Sequence, residues 1–346
     1  MSARKTISIA MATYNGEKFL RAQLDSLSRQ NHLPDELVVT DDCSTDQTLM
    51  FLRDFQAAAP FEVRISVNER RLGYAENFLR AASQCKGDLI AFCDQDDVWM
   101  ENKLERCIVE FDSQGVYLVA HSMFEVDSDL KTIRHAPAMR KSCTISHGNE
   151  SPGLRWSLGC AEVMRREVIQ ALLECWPADH EQYSAQFERK LLGHDQIAYF
   201  VANGMGDIRF VAEPLIRYRV HGSNVTNSLP TLGRKLRFSA GVGREAYERN
   251  ARFQQLHGRL LRRMAATSGN LKVSAVFERE AHKFTVAAAS SKIRAKIYGE
   301  RSRLRRALLI IAASRRGIYG SYFGTKALVS IAKDLTVLLQ GRGTTC

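Results

Sequence analysis

Residues 88–97 read Asp88-Leu-Ile-Ala-Phe-Cys-Asp-Gln-Asp-Asp97, a short apolar run that stops abruptly in four polar residues, three of them acidic. The run is too short for a helix and too apolar for a loop, so 88–93 reads as a strand buried on both faces. The same form occurs twice upstream. Residues 6–12 (TISIAMA) end at Thr13-Tyr14-Asn15-Gly16, and residues 36–40 (ELVVT) end at Asp41-Asp42-Cys43-Ser44-Thr45-Asp46. Between these strands the apolar spacing turns helical. Phe19, Leu20, Leu24 and Leu27 mark a helix over 17–30, Leu49, Leu52 and Phe55 one over 47–58, and 74–85 reads as a third. Residues 61–67 supply a further strand. Short buried strands alternating with amphipathic helices define an α/β fold with a parallel, Rossmann-like sheet and helices on both faces. Ligands of such sheets bind beyond the carboxyl ends of the strands. All three polar clusters belong on that rim.

Each cluster has a plain reading as turn or cap residues and a chemical one. In extended backbone, residues i and i+2 face the same side, so Asp94 and Asp96 share a site and Asp97 turns away. Two neighbouring carboxylates are best ionised around a cation, and hard Mg²⁺ or Mn²⁺ suits oxygen ligands. One acidic side chain after residues 36–40 can take hydrogen bonds from a ribose or base. Neither G-x-G-x-x-G nor G-x-x-x-x-G-K-[ST] occurs, so phosphates must be held by metal and side chains. Further on, Gly193-His194-Asp195-Gln196 opens an apolar helix over 197–202. Asp195 there is either a cap or an ionised general base. Arg217–Asn224 (RYRVHGSN) is either a basic turn or a loop closing over a diphosphate.

Charge divides the chain. Residues 231–346 carry 24 Lys and Arg against 6 Asp and Glu, a balance of +18, whereas residues 1–230 hold 25 against 32, a balance of −7. A two-part organisation follows, 1–230 and 231–346, with the cut near Ser228-Leu229-Pro230. The acidic front would repel phosphate backbones, and the rear lacks an aromatic RNA-binding signature. A nucleic-acid-binding protein with a degenerate nucleotide-sugar domain is therefore the weaker alternative, and no nucleic-acid partner is expected. Nucleotidyl transfer fails for want of a Gly-rich loop with a cation near the first strand. The rear reads as helices over 245–265, 271–298, 304–313 and 326–339. Residues 304–314 (LRRALLIIAAS), flanked by arginines, form either an interfacial anchor on an anionic membrane or a helix of a packed subdomain. They are too short to span a bilayer, and the N-terminal residues carry no secretory pattern. The eight cysteines are scattered without metal or disulfide spacing, as expected of inert thiols in a reducing compartment.

Taken in order, ATYNG, VVTDDCSTD, GYAEN, DQDD and HDQ resemble the family 2 inverting glycosyltransferases of the GT-A fold, over roughly residues 5–225. DQDDVW, LGC, HDQ and LIRYRVHGSN are most similar to bacterial enzymes of surface-polysaccharide synthesis of rhamnosyltransferase-like kind. The resemblance implies a nucleotide-diphosphate sugar donor, a glycan or lipid-linked acceptor, and work at the cytoplasmic face of the membrane. It implies that Ala12, Thr13 and Tyr14 pack around the nucleotide, that Asp42 binds the base, and that Arg71, Asn77 and Gln95 line the same pocket. Asp94-Gln95-Asp96 matches the D-x-D motif. Asp96 would be the main metal ligand, with Asp94 on the ribose or metal and His221 reaching the diphosphate or metal. Asp195 falls at the catalytic base, and Trp156, Gly159, Cys160 and His194 are assigned to the acceptor side. Two positions depart from the pattern: Cys43 stands where glycine is usual, and Glu76 where arginine often precedes the asparagine.

Overall fold

The computed structural model describes residues 4–136, 143–145, 158–178, 180, 192–222 and 243–315. The expected helix over 326–339 and Trp156 lie outside them. Strand β1 (Ile7–Thr13) is followed by α1 (Glu17–Ser28), β2 (Glu36–Asp41), α2 (Thr48–Ala58), β3 (Glu62–Val67), α3 (Tyr74–Ser83) and β4 (Leu89–Cys93). Each matches its expected position to within a few residues. β2 and β4 are buried throughout and β1 nearly so, which is why they read as unbroken apolar runs, while β3, at the sheet edge, buries only Val63 fully. The helices bury the stripes that predicted them, Leu20, Leu24 and Leu27 on α1, Leu52 on α2, and Phe78 and Leu79 on α3.

β5 (Val98–Trp99), α4 (Lys103–Ile108), β6 (Val116–Val126), β7 (Thr132–Ala136), β8 (Cys143–Ile145), β9 (Glu162–Arg165), α5 (Arg166–Cys175), α6 (His194–Met205) and β10 (Asp207–Arg219) complete the sheet region. The sheet order is β3-β2-β1-β4-β9-β6-β10-β5, with β7 on β6 and β8 on β10. β3, β2, β1 and β4 are mutually parallel, and β6 runs parallel to β10. β9 lies antiparallel between β4 and β6, and β5, β7 and β8 also pair antiparallel. The sheet is therefore mixed rather than wholly parallel: apolar runs report burial on both faces, not strand direction. β10 shifts register around Pro214, which has no N–H for the ladder.

Because β2, β1 and β4 are parallel neighbours, with Asp41 opposite Thr13 and Cys93 opposite Met11, the polar clusters that follow share one rim. α7 (Arg244–Thr267), α8 (Leu271–Gly299) and α9 (Arg303–Arg315) form the described part of the basic rear. The described residues divide into two compact units. One holds the residues up to 222 together with Met264–Val276, and the other holds 243–263 and 277–315. Within the first, Gly204 admits the chain closely, since a Cβ there would lie 2.6 Å from the Val273 Cα. No helix among the described residues is long and apolar enough to cross a membrane.

A buried amide network ties the rim to α3. Asn77 donates to the Thr13 and Thr40 carbonyls at 3.2 and 3.0 Å and accepts from Asn68 at 2.8 Å. Asn77→Ala removes all three bonds at a site 2% exposed. Urea unfolding of the sheet should show a loss of about 2–3 kcal/mol.

Candidate active site

The ends of β1 and β4 are joined by one carboxamide. Gln95 accepts from the Tyr14 N–H at 2.9 Å and donates to the Tyr14 carbonyl at 3.0 Å. Gly16 makes room for it, because a Cβ there would stand 2.3 Å from Gln95 Oε1. Asn15 turns the chain at φ 47°, accepting from Thr45 N–H at 2.8 Å while its own N–H donates to Ser44 Oγ at 2.9 Å. The turns after β1 and β2 are thus interlocked. Asp41 holds them from beneath, accepting from Thr13 Oγ1 at 2.8 Å and Ser44 Oγ at 2.6 Å. Tyr14 remains half-buried at the rim, with the Arg71 guanidinium 3.9 Å over its ring.

Asp42 and Asn77 are buried in a hydrogen-bond network beside the rim. Both oxygens of Asp42 are engaged, Oδ1 by Asn68 at 2.9 Å and Leu72 N–H at 2.7 Å, and Oδ2 by Gly73 N–H at 2.9 Å. They fix the approach to α3, where Gly73 takes φ 86°. Cys43 adopts φ 64°, which accounts for the glycine usual there in the resembling family.

The acidic cluster departs from the alternating geometry expected of it. Residues 95 and 96 form a turn, so Asp97 comes back toward Asp94 instead of pointing away. Asp94, Asp97 and Cys160 each offer a ligand atom within 4.8 Å of the others, and Asp97 is fully buried. Asp97 Oδ1 accepts from the Arg219 N–H at 2.9 Å, while its other oxygen is buried without an N–H or O–H donor. Asp96 lies on the open side, its Oδ2 2.9 Å from His221 Nε2. Arg219 Nε donates to the Asp96 carbonyl at 2.7 Å, and its guanidinium packs 4.4 Å over Phe19, which also meets the His221 ring at 4.8 Å.

Electrostatics reflect this crowding. Burial, then the charges of Asp96 and Asp195, push Asp94 up to about 7. Asp97 is raised well above the usual carboxylate range by burial, Asp96 and Asp94, and burial holds the Cys160 thiol protonated. Such a set has more negative charge than its surroundings solvate, which is the condition a divalent cation meets. The oxygens of Asp94, Asp96 and Asp97 are hard donors suited to Mg²⁺ or Mn²⁺, and His221 adds a nitrogen.

Lys103, which no motif marks in the sequence, lies behind this cluster. It is fully buried, donates to the Cys160 carbonyl at 2.6 Å and stands 3.5 Å over the Trp99 ring. Burial lowers its pKa. The carbonyl it holds belongs to the turn Gly159–Ala161, whose Gly159 N–H donates to Asp195 Oδ2 at 3.2 Å. Lys103 therefore serves both as counter-charge and as support for Asp195. The only sequence signal is a lysine four residues past a tryptophan on a short helix.

Asp195 opens α6 and accepts from its own helix at Gln196 N–H, 2.9 Å away. A Cβ on Gly159 would come within 3.2 Å of Asp195 Cβ, so glycine permits this approach. His194, beside the same Gly159 turn, lies in an aromatic enclosure. It stacks on Phe78 at 4.3 Å and meets Phe92 edge-on at 4.7 Å, with both ring nitrogens buried and unbonded. Cys160 is likewise enclosed, 1% exposed, behind Asp94 and Asp97. Ala12 is half-buried and Thr13 buried at the end of β1. The structure thus groups Tyr14, Arg71 and Gln95 at one part of the rim and Asp94, Asp96, Asp195 and His221 at the other.

A mixed sheet with an acidic cluster after its fourth strand is similar to the GT-A type of sugar-nucleotide fold. S. aureus TarS residues 1–349, solved in complex with UDP, superimposes with a TM-score of 0.52 over 96% of this chain and 90% of that one, at 18% identity. The profile of Glycosyl transferase family 2 matches residues 8–173, and that part of the chain belongs to the family. An uncharacterized glycosyltransferase of Nostoc sp. is 28% identical over 222 residues, 63% of this chain and 66% of the relative. A dTDP-rhamnosyl transferase, RfbG of Shigella flexneri, is 36% identical over 102 residues, 28% of this chain and 35% of the relative. The chain thus spans less than two thirds of the length of these curated relatives.

Two measurements probe the site's construction. Lys103→Met leaves the buried Cys160 carbonyl without its donor, and chemical denaturation should show a loss of about 1–3 kcal/mol. Burial, opposed by Asp195 and assisted by His180, lowers the His194 pKa to about 4. An unfolded imidazole takes its proton near pH 6.5, so below that pH the unfolded chain binds more protons than the folded one. The stability from keeping His194 neutral is complete above pH 6.5 and is lost as the pH falls toward 4, up to about 3 kcal/mol. Denaturant midpoints measured across that window should flatten in His194→Phe.

Proposed function

We propose that the chain is a metal-dependent inverting glycosyltransferase. It moves a sugar from a nucleotide-diphosphate donor to a hydroxyl of a glycan or lipid-linked acceptor in bacterial surface-polysaccharide synthesis. The observation that carries this reading is the meeting, on one rim, of the Tyr14–Arg71 stack, the Asp96–His221 pair and Asp195, with Asp94 raised by burial and then by the charges of Asp96 and Asp195. The family match supports sugar transfer, and the UDP bound in TarS together with the dTDP-rhamnosyl transferase RfbG supports a nucleotide-diphosphate sugar donor.

In this mechanism Tyr14 and Arg71 stack beside the base and ribose, with Ala12 and Thr13 beneath. Asp42 and Asn77 act by holding the pocket wall. Asp96, His221 and Asp94 hold Mg²⁺ or Mn²⁺, which when bound offsets the charge that develops on the leaving diphosphate. Asp195 takes the proton of the acceptor hydroxyl as that oxygen approaches the anomeric carbon opposite the diphosphate. A single displacement inverts the anomeric configuration, and no thiol is required. Gly159 fixes the base through its N–H. The basic region 231–346 places the enzyme peripherally on the anionic cytoplasmic face of the membrane.

Two outcomes test the reading. In the presence of Mn²⁺, one of UDP, dTDP, GDP or CMP should raise the melting temperature, by the equivalent of about 2.7 kcal/mol at a hundred times its dissociation constant, and Asp96→Ala should abolish the effect. Asp195→Asn should keep that nucleotide shift and lower the turnover of the matching sugar donor by about 10²–10⁴. Nucleotide stabilisation indifferent to metal and to Asp96, or full turnover in Asp195→Asn, would refute it.

A further inference from the structure

α9 has two apolar faces. Ile310 and Ala313, 3% and 2% exposed, pack against Ile297 of α8 with Ile293, Tyr298 and Leu309 around them. Leu304, Leu308 and Ile311 face the other way and are 73%, 58% and 49% exposed. At about 100° per residue, positions 304, 308 and 311 fall within an arc of roughly 60°, so they form one stripe along the helix. The remaining exposed large apolar side chains among the described residues (Leu33, Met50, Val67, Val109, Ile133, Leu173 and Leu271) are spread singly over separate elements. Isolated ones are ordinary on a protein surface, whereas an aligned stripe is not.

Cations border the stripe. Residues 301–315 contain five arginines and no acidic residue. Arg301, Arg303, Arg305 and Arg315 are exposed, while Arg306 is turned inward to the Glu300 carbonyl at 3.2 Å. An arginine stem can lie along an apolar surface with its guanidinium at the polar boundary.

We infer that the Leu304–Leu308–Ile311 face of α9 inserts into the headgroup region of an anionic lipid bilayer, with Arg301, Arg303, Arg305 and Arg315 on lipid phosphates. It rests on the membrane-surface placement proposed above and narrows that placement from a basic region to one helix face. Charge complementarity selects the partner. An anionic bilayer offers phosphates and acyl chain in adjacent layers, matching arginines beside an apolar stripe. Nucleic acid would use the arginines and leave three large apolar side chains in water. At about 1.5 Å per residue, 13 residues reach roughly 20 Å, so the helix lies in the interface rather than across it.

The test uses the full chain and vesicles of phosphatidylcholine with or without phosphatidylglycerol. The wild-type chain should sediment with the phosphatidylglycerol vesicles, at least tenfold more tightly than with phosphatidylcholine alone. The triple variant Leu304→Ser, Leu308→Ser and Ile311→Ser should bind at least tenfold more weakly, with unchanged circular dichroism and melting, since those side chains are already exposed. In a second variant, Leu308→Trp, indole emission should shift to the blue only on anionic vesicles. Undiminished binding by the triple variant, or no emission shift on vesicles that capture Leu308→Trp, would overturn the insertion face and leave a purely electrostatic contact. Failure of the wild-type chain to bind, or tighter binding to duplex DNA than to anionic vesicles, would overturn both the face and the membrane placement. None of these results depends on donor binding or turnover, so the catalytic reading is judged separately.

Discussion

Two hydrogen bonds from one side chain, Gln95 to the backbone of Tyr14, set the geometry on which the rest of the site depends. Parallel pairing brings β1 and β4 side by side, but it does not fix the loops beyond their ends. The Gln95 carboxamide does so by extending the pairing past the last ladder residue, in space that only glycine at position 16 leaves open. With that link made, Tyr14 and Arg71 flank one part of the rim, and the carboxylates that follow Cys93 are directed toward the other. The interlocked turns of Asn15, Ser44 and Thr45 brace the same corner from the side of β2.

Charge is the second constraint. Asp94, Asp96, Asp97 and Asp195 concentrate negative charge where burial makes it costly, and the fold answers from behind with Lys103 and from the side with Arg219. Neither cation opens onto the rim as a free binding group: Lys103 is fixed on a carbonyl and an indole, and Arg219 on backbone oxygens and Phe19. The open face of the cluster is thereby left to Asp96 and His221. Buried counter-charge on one side and unneutralised carboxylate on the other is an arrangement suited to a transient cation carried in with a diphosphate.

Much of this is legible in the sequence where local pattern and tertiary role coincide. Strands buried on both faces give unbroken apolar runs, and helices against a sheet give a periodic stripe, so β1 to β4 and α1 to α3 follow from the spacing of their apolar residues alone. Strand direction does not, because Glu162–Arg165 is four residues long and carries no signal that it runs against its neighbours. Alternation of extended backbone sets Asp97 aside, and the turn at 95–96 brings it back. Asp42, Asn77 and His194 stand out as unusual polar residues, but composition does not distinguish a side chain that meets a ligand from one held in a buried network or an aromatic enclosure. Lys103 is invisible for the same reason. A lysine on an amphipathic helix normally faces water, and only the packing of Trp99 and the Gly159–Ala161 turn shows that this one does not.

The most direct measurement is the anomalous scattering of Mn²⁺ in crystals of the chain grown with the nucleoside diphosphate that stabilises it. A single manganese peak bonded to Asp96 and His221 with Asp94 as a further ligand, adjoining a diphosphate whose base lies against Tyr14, is the predicted result. A peak lodged among Asp94, Asp97 and Cys160, or a nucleotide bound away from Tyr14 and Arg71, would contradict the assignment of the rim as a metal-dependent donor site.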